Sequence, residues 1–111
     1  MAMDPDELVF LYSTFPDADS AIKVGEALVN AKLAACVNLY PAVTSIYEWE
    51  GKLEITSEVT AFIKTRRGLI GLASNTARRL HPYTVPCFLV LTIADGNDDY
   101  VAWARAQMRA T

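Results

Sequence analysis

The feature that most constrains this chain is a pair of extended stretches that meet at one glycine. Over residues 53–64, apolar and polar residues alternate. Leu53, Ile55, Val59, Ala61 and Ile63 fall on one side; Glu54, Thr56, Glu58, Thr60 and Lys64 fall on the other. Ser57 and Phe62 break the pattern. A period of two belongs to a strand with one buried face, because helix faces repeat about every 3.6 residues. Upstream, residues 34–47 carry the strand formers Val37, Leu39, Val43, Ile46 and Tyr47. Pro41 lies inside that run and has no amide donor, so the strand is expected at a sheet edge or bulged. Between the two stretches, Trp49-Glu50-Gly51-Lys52 reads as a tight turn, with Gly51 taking the dihedrals other residues avoid. The resulting β-hairpin is longer than a small domain needs. The excess length is expected to find a partner, such as another subunit.

The remaining elements fall around this hairpin. The apolar run Leu8-Val9-Phe10-Leu11-Tyr12 reads as a buried strand. Asp17 is placed to cap a helix whose stripe is Ala18, Ala21, Ile22, Gly25, Leu28 and Val29. Residues 66–80 are helical in spacing, with Arg78 and Arg79 in the last turn and Pro82 beyond it. Residues 85–93 read as a buried strand. Asn97 is placed to cap a final helix with Tyr100, Trp103, Ala104 and Met108 on its apolar face. The order β-α-β-β-α-β-α predicts an α+β, ferredoxin-like split βαβ fold with a long hairpin and an extra C-terminal helix. Two helices cover one face of a four-stranded antiparallel sheet. The other face is left open, which points to oligomerisation.

Length and charge narrow the classes. At 111 residues and 52% hydrophobic content the chain makes one domain, expected over residues 8–111, with residues 1–7 as a disordered tail. No apolar run approaches the roughly 20 residues of a membrane span. The acidic start, Met1-Ala2-Met3-Asp4, has no basic or apolar leader character. Two cysteines are too few for a disulfide scaffold, and a reducing, cytoplasmic setting is expected. A net charge of −3 argues against nucleic-acid or anionic-membrane partners. The pairs Arg66-Arg67 and Arg78-Arg79 read as a solvated face.

Five strings in order resemble the CutA family of divalent-cation tolerance proteins. They are Leu33-Ala34-Ala35-Cys36-Val37-Asn38, the segment Ser45 to Lys52, Ser57-Glu58-Val59 with Ile63-Lys64-Thr65, His81-Pro82-Tyr83-Thr84-Val85-Pro86, and Asp99-Tyr100 with Trp103. The resemblance implies a PII-like homotrimer packed around a three-fold axis, cytoplasmic in bacteria and linked to tolerance of copper and other divalent metals. It also exposes departures. In some members copper ligation is assigned to a Cys at the position of Ser13 and to a His pair at Leu80 and His81; only His81 is retained here. Cys87 stands where the family commonly has Glu.

Two site hypotheses follow. Thiolate and imidazole are the expected ligands for copper, and for this or another divalent cation the chain offers His81, Cys36 and Cys87, with no Cys-x-x-Cys or His-x-x-x-His spacing. Packing is the preferred reading for the two cysteines in strands, and a helix-end role for His81. The second hypothesis is a ligand cleft of Tyr47, Trp49, Glu58, Lys64 and Tyr83, near His81, suited to a small anionic or zwitterionic molecule in the manner of a trimeric sensor or scaffold. Its plainer counterpart is interface anchoring by Tyr and Trp. Glu58 and Lys64 share a strand face but stand about 20 Å apart along it, too far to pair. No phosphate loop, nucleophile elbow or acid–base set surrounds the single histidine, so binding rather than catalysis is expected.

Overall fold

The computed structural model describes residues 4–110. The elements run β1 (Leu8–Phe15), α1 (Ala18–Asn30), β2 (Cys36–Trp49), β3 (Lys52–Arg66), a 3-10 turn (Arg67–Leu69), α2 (Ile70–Leu80), β4 (Leu89–Thr92) and α3 (Asp98–Gln107). The four strands form one sheet in the order β2-β3-β1-β4, and every neighbouring pair is antiparallel.

The period of two decides the layers. On β1, Val9, Leu11, Ser13 and Phe15 are buried, and they register against Thr65, Ile63, Ala61 and Val59 of β3. That face carries α1 and α2 and holds the core, with Leu28, Leu33 and Leu69 packed against the strands. The opposite face carries Phe10, Tyr12 and Phe62, whose rings meet edge-on at 6.1 and 5.7 Å. Leu89 and Leu91 continue it on β4 and are exposed.

The caps work as the residue chemistry requires at one end and differ at another. Asp17 Oδ1 accepts a 2.8 Å hydrogen bond from Ser20 N and starts α1. Asn97 stands before α3, but its side chain bonds Asp99 Oδ1 instead of the helix backbone. The buried stripe of α1 is Ala21, Val24, Gly25 and Leu28, while Ile22 and Val29 turn outward. Arg66, expected to begin the second helix, closes β3 instead. Its buried guanidinium donates to Pro5 O, Asp6 Oδ1 and Arg109 O, and so holds both ends of the chain. Residues 4–7, expected within a disordered tail, are accordingly tied down: Gly68 N donates to Pro5 O at 2.9 Å and Arg67 N to Glu7 O at 2.8 Å. Met1–Met3 of that tail, and Thr111, lie outside the described residues. The last strand is shorter than expected and exposed, and as the sheet's edge β4 pairs on one side only.

The hairpin strands, 14 and 15 residues long, are the longest elements of a molecule that measures 44 × 30 × 23 Å. β2 is an edge strand, and its register with β3 shifts between Tyr40 and Val43. Ala42 there has φ 63, so Pro41 sits at a bulge as well as an edge. Trp49 pairs with Lys52, leaving the two-residue turn Glu50-Gly51 with φ 50 and 80. Both dihedrals are left-handed, which matches the strand twist but strains a residue with a Cβ. Glu50→Asn is therefore expected to stabilise the protein by about 0.5–1 kcal/mol, read as a higher denaturation midpoint. Beyond the helices, Ile46 lies opposite Ile55 with Leu53 beside them, and all three are exposed.

Candidate functional site

The site forms where the segment after α2 passes the end of β1 and meets β3 and the hairpin. Pro82 disfavours helical dihedrals at His81, which is extended at φ −75 and ψ 134 and ends the helix. His81 is only 8% exposed. Its ring stacks on Phe15 with centroids 4.3 Å apart, and Phe88 meets its edge. Tyr83 N donates to Nδ1 at 3.1 Å, so Nε2 carries the proton and donates to Thr14 O at 2.8 Å. Burial holds the imidazole below its ordinary pKa, against the raising influence of the Thr14 carbonyl and the Glu58 charge. His81 is thus a neutral ring with both nitrogens engaged, positioning the segment that follows.

That segment brings Tyr83 to Glu58. The two are 25 residues apart in sequence, yet Tyr83 Oη donates to Glu58 Oε2 at 2.7 Å. Glu58 is 8% exposed. Burial, then the Glu58 contact, pushes the Tyr83 phenol well above its usual range. Cys87 follows on the same segment. Burial, then the Glu58 charge, raises its thiol too, so it stays protonated near neutrality.

A cavity of about 470 Å³ opens here. Thr14 and Glu58 contribute from the sheet, Tyr47 and Trp49 from the hairpin, and residues 82–85 with Cys87 from the segment. Four of the residues expected in a ligand cleft, Tyr47, Trp49, Glu58 and Tyr83, are therefore brought together, with Cys87 added. Lys64 is not among them. It lies toward the other end of β3, where Nζ donates to Tyr100 Oη at 3.1 Å and sits 5.1 Å from the Tyr100 ring. The reach of six strand residues separates it from Glu58. Removing that lysine removes the basis for an anionic ligand: the one formal charge in the wall is negative.

The metal-ligand candidates are not gathered. Cys36 pairs across from Lys64, away from the cavity, with its thiol directed at Asn38. His81 is committed to Thr14 and Tyr83, and Cys87 lines the cavity. Both cysteines are free. Among the described residues, no three His, Cys, Asp or Glu side chains are placed to hold one ion. Ser13 is fully buried in the core, where its Oγ has no hydrogen-bond partner. Thr14 is the contributor the sequence did not flag: nothing in a Thr on a strand marks its carbonyl as the anchor of a histidine.

Comparison with known proteins gives one answer. The profile of the CutA1 divalent ion tolerance protein family matches residues 9–107. Human Protein CutA is 41% identical over 91% of the chain, which spans 56% of the human protein's length. The divalent-cation tolerance protein CutA of Thermus thermophilus is 39% identical over 90% of the chain and 95% of that protein. Among solved structures, the periplasmic divalent cation tolerance protein CutA from Archaeoglobus fulgidus superposes with a TM-score of 0.87 at 32% identity, covering 90% of this chain and 97% of that one. No helix among the described residues is long and apolar enough to cross a membrane.

Proposed function

Since this chain belongs to the CutA1 divalent ion tolerance family, we propose that it serves divalent-cation tolerance as a homotrimeric binding protein and not as an enzyme. The subunit is ferredoxin-like and the trimer PII-like, with open sheet faces turned toward the three-fold axis and ligand taken in the cavity beside the hairpin. The apolar open face and the exposed Ile46, Leu53 and Ile55 support the assembly, since patches of that kind mark interaction surfaces. The observation that carries the binding reading is the cavity itself. Its volume is that of a small-molecule site, and a buried carboxylate and three aromatic side chains converge on it.

Direct metal capture is the first form of this function, but one chain supplies few donors. Glu58 and Cys87 open on the cavity, the latter as a protonated thiol. His81 has no free nitrogen. These residues do not make a closed site for a soft ion such as copper, so capture requires donors from a neighbouring subunit. The aromatic lining favours the second form, a trimeric sensor or scaffold that binds a small molecule or a partner group. We place the protein in the cytoplasm, consistent with two free cysteines, although the Archaeoglobus relative is named as periplasmic.

Native mass spectrometry of the reduced protein, with and without Cu²⁺, tests this. A trimer is expected. Three copper ions per trimer would establish capture with partner donors. A metal-free trimer would leave the sensor reading in first place, and a monomer would overturn the assembly.

A further inference from the structure

We propose that the cavity takes an organic cation, with an ammonium group set against Glu58 and Tyr83 and an apolar stem lying along Tyr47 and Trp49. This rests on the reading that the cavity is the ligand site, and it names the chemistry of the ligand.

The sign of the charge comes first. Glu58 is more than nine-tenths buried and is hydrogen-bonded by a neutral phenol, not by a cation. Among the described residues, ion pairs join Arg66 to Asp6 and Arg67 to Glu7, and neither reaches Glu58. No Lys or Arg lines the cavity. Asp17, at the start of α1, adds to the negative field at Tyr83. A buried carboxylate is costly without a counter-charge. An anion would be repelled, and a neutral guest would bury the carboxylate still further without pairing it.

The walls then select the kind of cation. The Tyr83 ring beside Glu58 adds an aromatic partner for an ammonium group, while Tyr47 and Trp49 offer apolar surface to an alkyl stem. A bare metal ion would use Glu58 and leave the rings idle. The register sets the length. Tyr47 lies opposite Glu54, four residues along β3 from Glu58, roughly 13 Å at strand spacing. The Tyr47 side chain leans back toward Glu58, its hydroxyl accepting from Thr56 Oγ1 at 3.4 Å, so a head group at Glu58 meets Tyr47 within a few carbons and a longer stem continues toward Trp49.

The test is a ligand-detected NMR titration of the full chain with n-hexylammonium, its neutral counterpart 1-hexanol, its anionic counterpart hexanoate, and Cu²⁺ alone. Hexylammonium is expected to bind at least about tenfold more tightly than hexanol, with hexanoate weaker still. Glu58→Gln, which keeps the shape of the side chain, is expected to erase that preference. Trp49→Leu, at an exposed position the fold tolerates, is expected to weaken hexylammonium severalfold. Hexanol or hexanoate binding as tightly as hexylammonium, or unchanged hexylammonium affinity in Glu58→Gln, overturns the inference and leaves the cavity a ligand site. Binding by Cu²⁺ alone does the same. No binding by any of the four probes overturns both the inference and the reading beneath it.

Discussion

Ile46→Lys combined with Ile55→Glu is expected to convert the proposed trimer to a monomer, as measured by light scattering on a sizing column. The two residues lie directly opposite each other on β2 and β3, and both are well exposed in the single chain, at 67% and 64%. Residues that keep the hairpin folded would be buried by the chain's own core; these are not. Fully burying an isoleucine is worth about 1.5–3 kcal/mol; with roughly two-thirds of each still exposed, the pair contributes up to about 4 kcal/mol per subunit if a neighbour covers it. Substituting charges adds the cost of desolvating them in the interface. The opposite signs pair across the strands and keep the hairpin itself intact, so far-UV circular dichroism should be unchanged. A double variant that remains trimeric would place the interface on the open sheet face alone.

His81→Ala is expected to lower stability by about 2–4 kcal/mol, read by urea unfolding at fixed protein concentration. The substitution removes a buried ring stacked on Phe15 and leaves Thr14 O and Tyr83 N without their partner. Tyr83 is then free to leave Glu58, so the cavity should lose its order along with the stability. The same residue sets a pH response. Its folded pKa lies below the ordinary 6.5, because burial disfavours the imidazolium. Below pH 6.5 the unfolded chain therefore takes up a proton that the folded chain resists. Stability is fully present above that value and is lost as pH falls toward the depressed pKa. The chain has one histidine, so the His81→Ala variant should show little change between pH 7 and pH 5.5, where the wild type declines. Copper uptake by His81→Ala equal to the wild type would assign the residue to structure, and loss of uptake in a folded variant would return it to the metal.

Much of the fold was legible because its determinants are local. The alternation over residues 53–64, the Gly51 turn, the Asp17 cap and Pro82 each act within a few residues, and the strand order follows from short connections. The errors arose where distant parts intervene. Arg66 looked helical by spacing, but both chain ends converge on its guanidinium and keep it in β3. Residues 85–93 read as buried by composition, but β4 within them pairs with β1 alone and leaves Leu89, Val90 and Leu91 exposed, while Phe88 packs against the core.

The same division runs through the site. Aromatic and acidic residues in the hairpin and in the segment after α2 marked the cavity, and the resemblance of those strings to one family supplied its context. The sequence by itself determined the α+β order, the overlong hairpin, the open sheet face and the family. Only the tertiary structure decided that Tyr83 reaches Glu58 across 25 residues, that His81 spends both nitrogens on the backbone, and that Lys64 belongs to Tyr100. Periodicity reports which face a residue occupies but not its height along the strand relative to other elements. Charge pairing depends on that height, and it turned a site expected to take an anionic or zwitterionic molecule into one whose wall is negative.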